Sequence, residues 1–69
     1  MVISDFVEWE LNIFREKCNF TEDERSFFEY RASGNTIEFI AEVMCISVGK
    51  ANVLSRKVKS KMKRVLSKM

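Results

Sequence analysis

The chain has 69 residues, which is room for one small domain and no second core. It contains no His, no Pro and two Gly, with 46% apolar and 32% charged residues. Without His, neither a Ser/His or Cys/His nucleophile pair nor a Cys/His zinc site can be assembled, and the two Cys cannot furnish four thiolates. The scarcity of Gly and Pro removes the punctuation of hairpins and sandwiches, so the expectation is an all-α fold.

The first predicted helix runs from about 5 to 17, with Ser4 as its N-cap. Ile3, Val7, Leu11, Phe14 and Cys18 recur at spacings of four, four, three and four, which is one helical stripe. Phe6, Trp9 and Ile13 form a second stripe beside it. Two stripes are more apolar surface than one partner helix covers. Burial of both is the favoured reading; the alternative makes Trp9 and its neighbours a contact surface, through which the N-terminal helix would form a homodimer.

The second helix, about 22–33, is announced by Thr21-Glu22-Asp23-Glu24, a capping box in which the Thr21 hydroxyl and the Glu24 carboxylate each accept the other residue's amide hydrogen. Three acids in its first turn suit the positive end of the helix dipole. Phe27, Phe28, Tyr30 and Ala32 supply apolar mass, and Gly34 marks the stop. A third helix follows from the N-cap Thr36 to about Met44, with Ile37, Ile40, Ala41 and Met44 on one face.

Ser47 is the predicted N-cap of the last helix, which runs from Val48 to about Leu66, a length of about 28 Å. Its apolar positions are Ala51, Leu54, Val58, Met62, Val65 and Met69. Lys50, Arg56, Lys57, Lys59, Lys61, Lys63, Arg64 and Lys68 occupy much of the remainder. Thr36–Met44 and the helix from Ser47 onward, about 36–66 together, read as a helix-turn-helix, with Ala41 small where the two helices cross. The expected architecture is therefore a small four-helix domain, 1–69, with a long basic recognition helix at its C-terminus.

The net charge of +2 conceals a sharp division. Residues 1–45 carry ten acidic and four basic side chains, a balance of −6, whereas residues 46–69 carry eight basic side chains and no acid. Such asymmetry points the C-terminal third at a polyanion or an acidic partner. With Ala51, Leu54, Val58 and Met62 turned inward, the opposite face near the helix start holds Val48, Gly49, Asn52, Val53 and Arg56, the positions expected to meet base edges. Asn52 suits an adenine edge, Arg56 a guanine edge and Val53 a thymine methyl. Lys50, Lys57, Lys59, Lys61, Lys63 and Arg64 are expected to hold phosphates, and about six such contacts would give log affinity a slope near −5 against log salt.

The run Phe20-Thr21-Glu22-Asp23-Glu24-Arg25-Ser26-Phe27-Phe28-Glu29-Tyr30-Arg31, then Gly34, Ile40-Ala41 and Ile46-Ser47, resembles region 4 of the sigma-70 family of sigma factors. It is also similar to the LuxR-type DNA-binding domain. The resemblance covers nearly the whole chain and implies a four-helix domain whose last helix enters the major groove of duplex DNA, with RNA polymerase as a further partner in the sigma-like case. Three positions depart from the shared pattern. Phe39 stands where Glu is usual, Cys45 where the turn usually has Gly, and Lys50-Ala51 where Thr-Val is usual. If the turn requires a positive φ at Cys45, the cost is about 1–2 kcal/mol.

No catalytic residue, metal ligand or cofactor is expected, and an enzyme is excluded on size: a pocket for a carboxylate pair has little room here. Cys18 and Cys45 read as buried thiols with no disulfide. No apolar run reaches membrane-spanning length and the N-terminus lacks a signal-peptide pattern, so a cytoplasmic protein without a membrane role is expected. The rival to DNA binding is a protein-interaction module whose basic helix meets an acidic partner.

Overall fold

The computed structural model describes residues 2–68, among which the secondary structure is entirely helical. A short 3-10 turn, Ile3–Asp5, precedes α1 (Glu8–Lys17), α2 (Glu22–Ala32), α3 (Ile37–Met44) and α4 (Val48–Ser67). The long axis of the molecule, 34 Å against 19 and 18 Å for the others, follows from α4, whose 20 residues span about 30 Å.

The beginning of the chain departs from expectation. Ser4 lies inside the 3-10 turn and caps nothing; α1 starts three residues later than predicted, at Glu8, with Val7 as N-cap. Val7 has no side-chain acceptor to offer, so only half a capping box forms, the Val7 amide donating to Glu10 Oε1 at 3.0 Å. The break lets Ile3 turn into the core, where it is fully enclosed, while Val7 stays exposed. Phe6 closes the corner by setting its ring edge-to-face on Phe14 at 5.1 Å.

α2 lies at the centre, packed against α4, α3 and the N-terminal turn. Its adjacent Phe27 and Phe28 are both fully buried because neighbours stand on two sides of it. The capping box forms as predicted: Thr21 Oγ1 accepts the Glu24 amide at 3.3 Å and Glu24 Oε1 accepts the Thr21 amide at 2.9 Å. At the other end Gly34 takes φ +90°, and the Gly34 and Asn35 amides donate back to the carbonyls of Arg31 and Tyr30. That is a Schellman stop, with glycine at the left-handed position.

The same motif recurs, less comfortably, after α3. The Cys45 and Ile46 amides donate to Glu42 and Ala41, with Cys45 at φ 57°, ψ 42°. The positive φ considered from the sequence is therefore present, on a residue with a Cβ. Cys45 is exposed, against the expectation of burial; Cys18 is buried, and both thiols are free. Burial pushes the Cys18 thiol up, outweighing the opposing effect of Lys61.

Thr36 and Ser47 cap α3 and α4 as predicted, accepting the amides of Phe39 and Lys50 at 3.1 Å each. Ile40, Ala41, Ala51, Leu54, Val58 and Met62 form the buried seam between α3, α4 and the rest of the core. Met69, the last position of the predicted α4 stripe, lies outside the described residues.

Trp9 is the largest correction. It is 63% exposed. Leu11, Phe14 and Cys18 turn the opposite face of α1 into the core, and helical spacing leaves Trp9 on the outside, with Ile13 half-buried one turn on. Neither of the two stripes is buried whole.

Candidate nucleic-acid interface

The face of α4 turned away from the seam is set by its buried positions. With Ala51, Leu54, Ser55, Val58 and Met62 inside, Gly49, Asn52, Val53, Arg56, Ser60 and Lys63 follow one another along the outer side. All six are exposed. Val48, the first residue of the helix, is 46% exposed and Val53 37%, so two apolar side chains stand in solvent among polar ones. The five residues expected at base edges are thus all accessible and lie within the first two and a half turns. Gly49 is under no steric demand from the fold, since a Cβ there would meet only Ser47 Oγ at 3.8 Å.

Along one edge of that face Lys50, Lys57 and Arg64 recur at seven-residue spacing, all exposed. Between Arg56, Lys57, Ser60, Lys61 and Arg64 the surface dips into a shallow concavity that reaches Glu24 of α2. Lys63 is exposed and Lys59 half-buried. No acid of α4 interrupts the array.

Lys61, expected at a phosphate, is engaged within the fold. Its ammonium donates to Glu24 Oε1 and, at 3.2 Å, to the Asn19 carbonyl, which stands in the left-handed corner between α1 and α2. The side chain is drawn along α4 toward a carboxylate that is 5% exposed. Burial by itself would push the Glu24 carboxyl up; the Lys61 ammonium and the amide and hydroxyl of Thr21 outweigh it and hold the group below the usual carboxylate range. Lys61 is a structural tie between α2 and α4. Sequence reading missed this because Glu24 looked fully employed by its cap, and nothing local shows that 37 positions later a lysine closes on its other side.

A second tie also escaped the sequence. Arg15 of α1 makes a two-pronged bond to Glu29 of α2, Nε to Oε2 at 2.7 Å and Nη2 to Oε1 at 2.8 Å. Its Nη1 also reaches Glu8 at 2.9 Å and Asn12 at 2.6 Å. These carboxylates, Glu29 foremost, raise the guanidinium pKa against partial burial, so Arg15 is permanently charged and committed inside the domain. No group of three or more Cys, Asp or Glu side chains converges as a metal would require, and no helix is long and apolar enough to cross a membrane, among the described residues.

Elsewhere the acids occupy other surfaces. Glu38 and Glu42 lie on the outer side of α3 beside exposed Phe39 and Val43, and Glu22 and Asp23 stand in the first turn of α2. The division of charge seen along the sequence is consequently a division between elements: α4 is basic and α2 and α3 are acidic on balance. Compared with protein families, curated proteins and solved structures, the chain matches none.

Proposed function

We propose that the domain binds duplex DNA sequence-specifically, with α3 and α4 acting as a helix-turn-helix and the start of α4 lying in the major groove. One observation carries this reading: the outer face of α4 is bare, mixed polar and apolar at its N-terminal end, and beyond it carries Lys57, Lys63 and Arg64 with no acid among them. The first part has the donors and methyl-sized contacts that base edges require, through Asn52, Arg56 and Val53. The rest supplies phosphate contacts from Lys50, Lys57, Lys59, Lys63 and Arg64 that fix register. A small transcriptional regulator or a sigma-region-4-like factor is the corresponding role; the latter would also contact RNA polymerase, which a pull-down of polymerase subunits separates from the former.

The test is duplex binding titrated against salt. With Lys61 committed to Glu24, about five phosphate contacts remain, and log affinity is expected to fall against log salt with a slope of about −4 to −5. Arg56→Ala combined with Lys57→Ala is expected to abolish selection among duplex sequences and to weaken binding overall. Absence of binding at low salt, or binding indifferent to the double substitution, sinks the reading and leaves the basic helix to an acidic protein partner.

A further inference from the structure

The outer face of α1 has no use in the DNA-binding arrangement, yet it is the most apolar exposed part of the N-terminal half. Trp9, Asn12, Ile13 and Glu16 share it by helical spacing, and Val2 and Val7, 49% and 52% exposed, stand just before it in the chain. Ile13, at the edge of that face, and Lys17 on its flank border a groove of about 530 Å³ between the end of α1 and the last turns of α4. Ile13, Cys18 and Val65 give the groove an apolar floor, and Lys17, Arg64 and Lys68 a basic rim. The face is therefore polarised lengthwise. At one end is an exposed indole accompanied by Asp5, Glu8 and Glu10; at the other is a basic-rimmed slot large enough for an indole, with Glu16 as the only acid nearby in sequence.

Such a face complements itself when turned end for end. Trp9 lies two turns, about 12 Å, from Lys17, so antiparallel apposition of two α1 helices about a twofold axis near Asn12 and Ile13 brings each Trp9 to the groove of the other copy. The acidic end of each helix then meets the basic end of its mate, twice, and the two helix dipoles oppose. We propose that this face is the interface of a symmetric homodimer, with Trp9 as the anchor and the Ile13–Val65 groove of the second copy as its socket. The contact shares only Arg64 with the proposed DNA-binding face. A 10-residue helix provides a patch at the small end of specific interfaces, so the dimer forms in a concentration-dependent equilibrium.

Trp9 is the only tryptophan and reports directly on its own burial. Sedimentation equilibrium and fluorescence of the full chain, without DNA, are expected to show mass rising from 8.1 kDa toward twice that value with a parallel blue shift of the emission. Trp9→Ala is expected to remain monomeric while keeping its helical circular dichroism, because the side chain contributes nothing to the core. Lys17→Glu is expected to weaken association at least tenfold with the fold unchanged. A mass that stays at one chain up to about 1 mM, a Trp9→Ala variant that still dimerises, or growth beyond two chains would each overturn the proposal. So would a monomer whose emission shifts only on adding anionic phospholipid vesicles, an outcome that assigns the face to a membrane surface.

Discussion

Cys45 is where a single residue sets the quality of the turn ahead of α4. Its left-handed conformation is imposed by the Schellman bonds that end α3, and a Cβ in that region costs about 1–2 kcal/mol. Cys45→Gly removes the strain at the expense of a more flexible unfolded chain, and a net gain of about 1 kcal/mol is expected, raising the midpoint of thermal unfolding by about 4–8 °C. Differential scanning calorimetry checks it. Lys61 and Glu24 set the response to acid. The Glu24 carboxyl is lowered in the folded state, so its contribution is present above the unfolded value of about 4.3 and is lost as pH falls through the folded one. Lys61→Ala leaves the carboxylate buried with only its cap, and a loss of about 1–3 kcal/mol near neutral pH is expected. The acid transition followed by circular dichroism is expected to move to higher pH in that variant, since burial then dominates the Glu24 carboxyl. Introducing Glu24→Gln into the Lys61→Ala background is expected to return the transition toward lower pH.

At the scale of the element, α4 combines two demands that separate by position. Its inner stripe is filled by Ala51, Leu54, Val58 and Met62 and answers to packing; its outer face answers to solvent or a ligand. Gly49 tests the division. A helical glycine costs about 0.5–1 kcal/mol relative to Ala, and no neighbour here needs the space. Gly49→Ala is expected to stabilise the fold while weakening DNA affinity, if close approach to the duplex is what the missing Cβ serves; equal or tighter DNA binding removes Gly49 from the interface. The α1 start makes the complementary point. A regular stripe through Ile3, Val7 and Leu11 suggested one helix, but the chain gives up a turn of helix at Phe6–Val7 so that Ile3 and Phe6 can both reach the core.

For the whole molecule, the division of charge acts as a vector. On the proposed DNA-binding reading, phosphate is expected to repel the acidic surfaces of α2 and α3 and attract α4, orienting the domain before contact as well as drawing it in. Lys63→Ala is expected to reduce the salt slope by about 0.9 and to weaken all duplexes alike, in contrast to Arg56→Ala, which is expected to cost about 1–3 kcal/mol on the preferred sequence and little on others. Comparing the two variants on matched and scrambled duplexes distinguishes a charge that positions from a side chain that reads.

Local chemistry made much of this domain legible in advance. Thr21, Thr36 and Ser47 each sit beside the amides they cap, Gly34 sits where only a left-handed residue closes the helix, and the 3.6-residue period of α4 separates inside from outside without reference to any neighbour. Helix count, the ends of α2, α3 and α4 and the exposed face of α4 depend on residues within a few positions of one another, so the sequence by itself determined them. The destinations of charges and of the second apolar stripe depend on what lies across the core. Lys61 looked like one more phosphate contact until folding brought Glu24 and the Asn19 carbonyl within its reach. Arg15 found Glu29 on the neighbouring helix, and Trp9 was left outside because Leu11, Phe14 and Cys18 claimed the only face of α1 that meets the core. Those outcomes were decided by tertiary structure alone, because burial and ion pairing are set by distances through space that sequence separation does not encode.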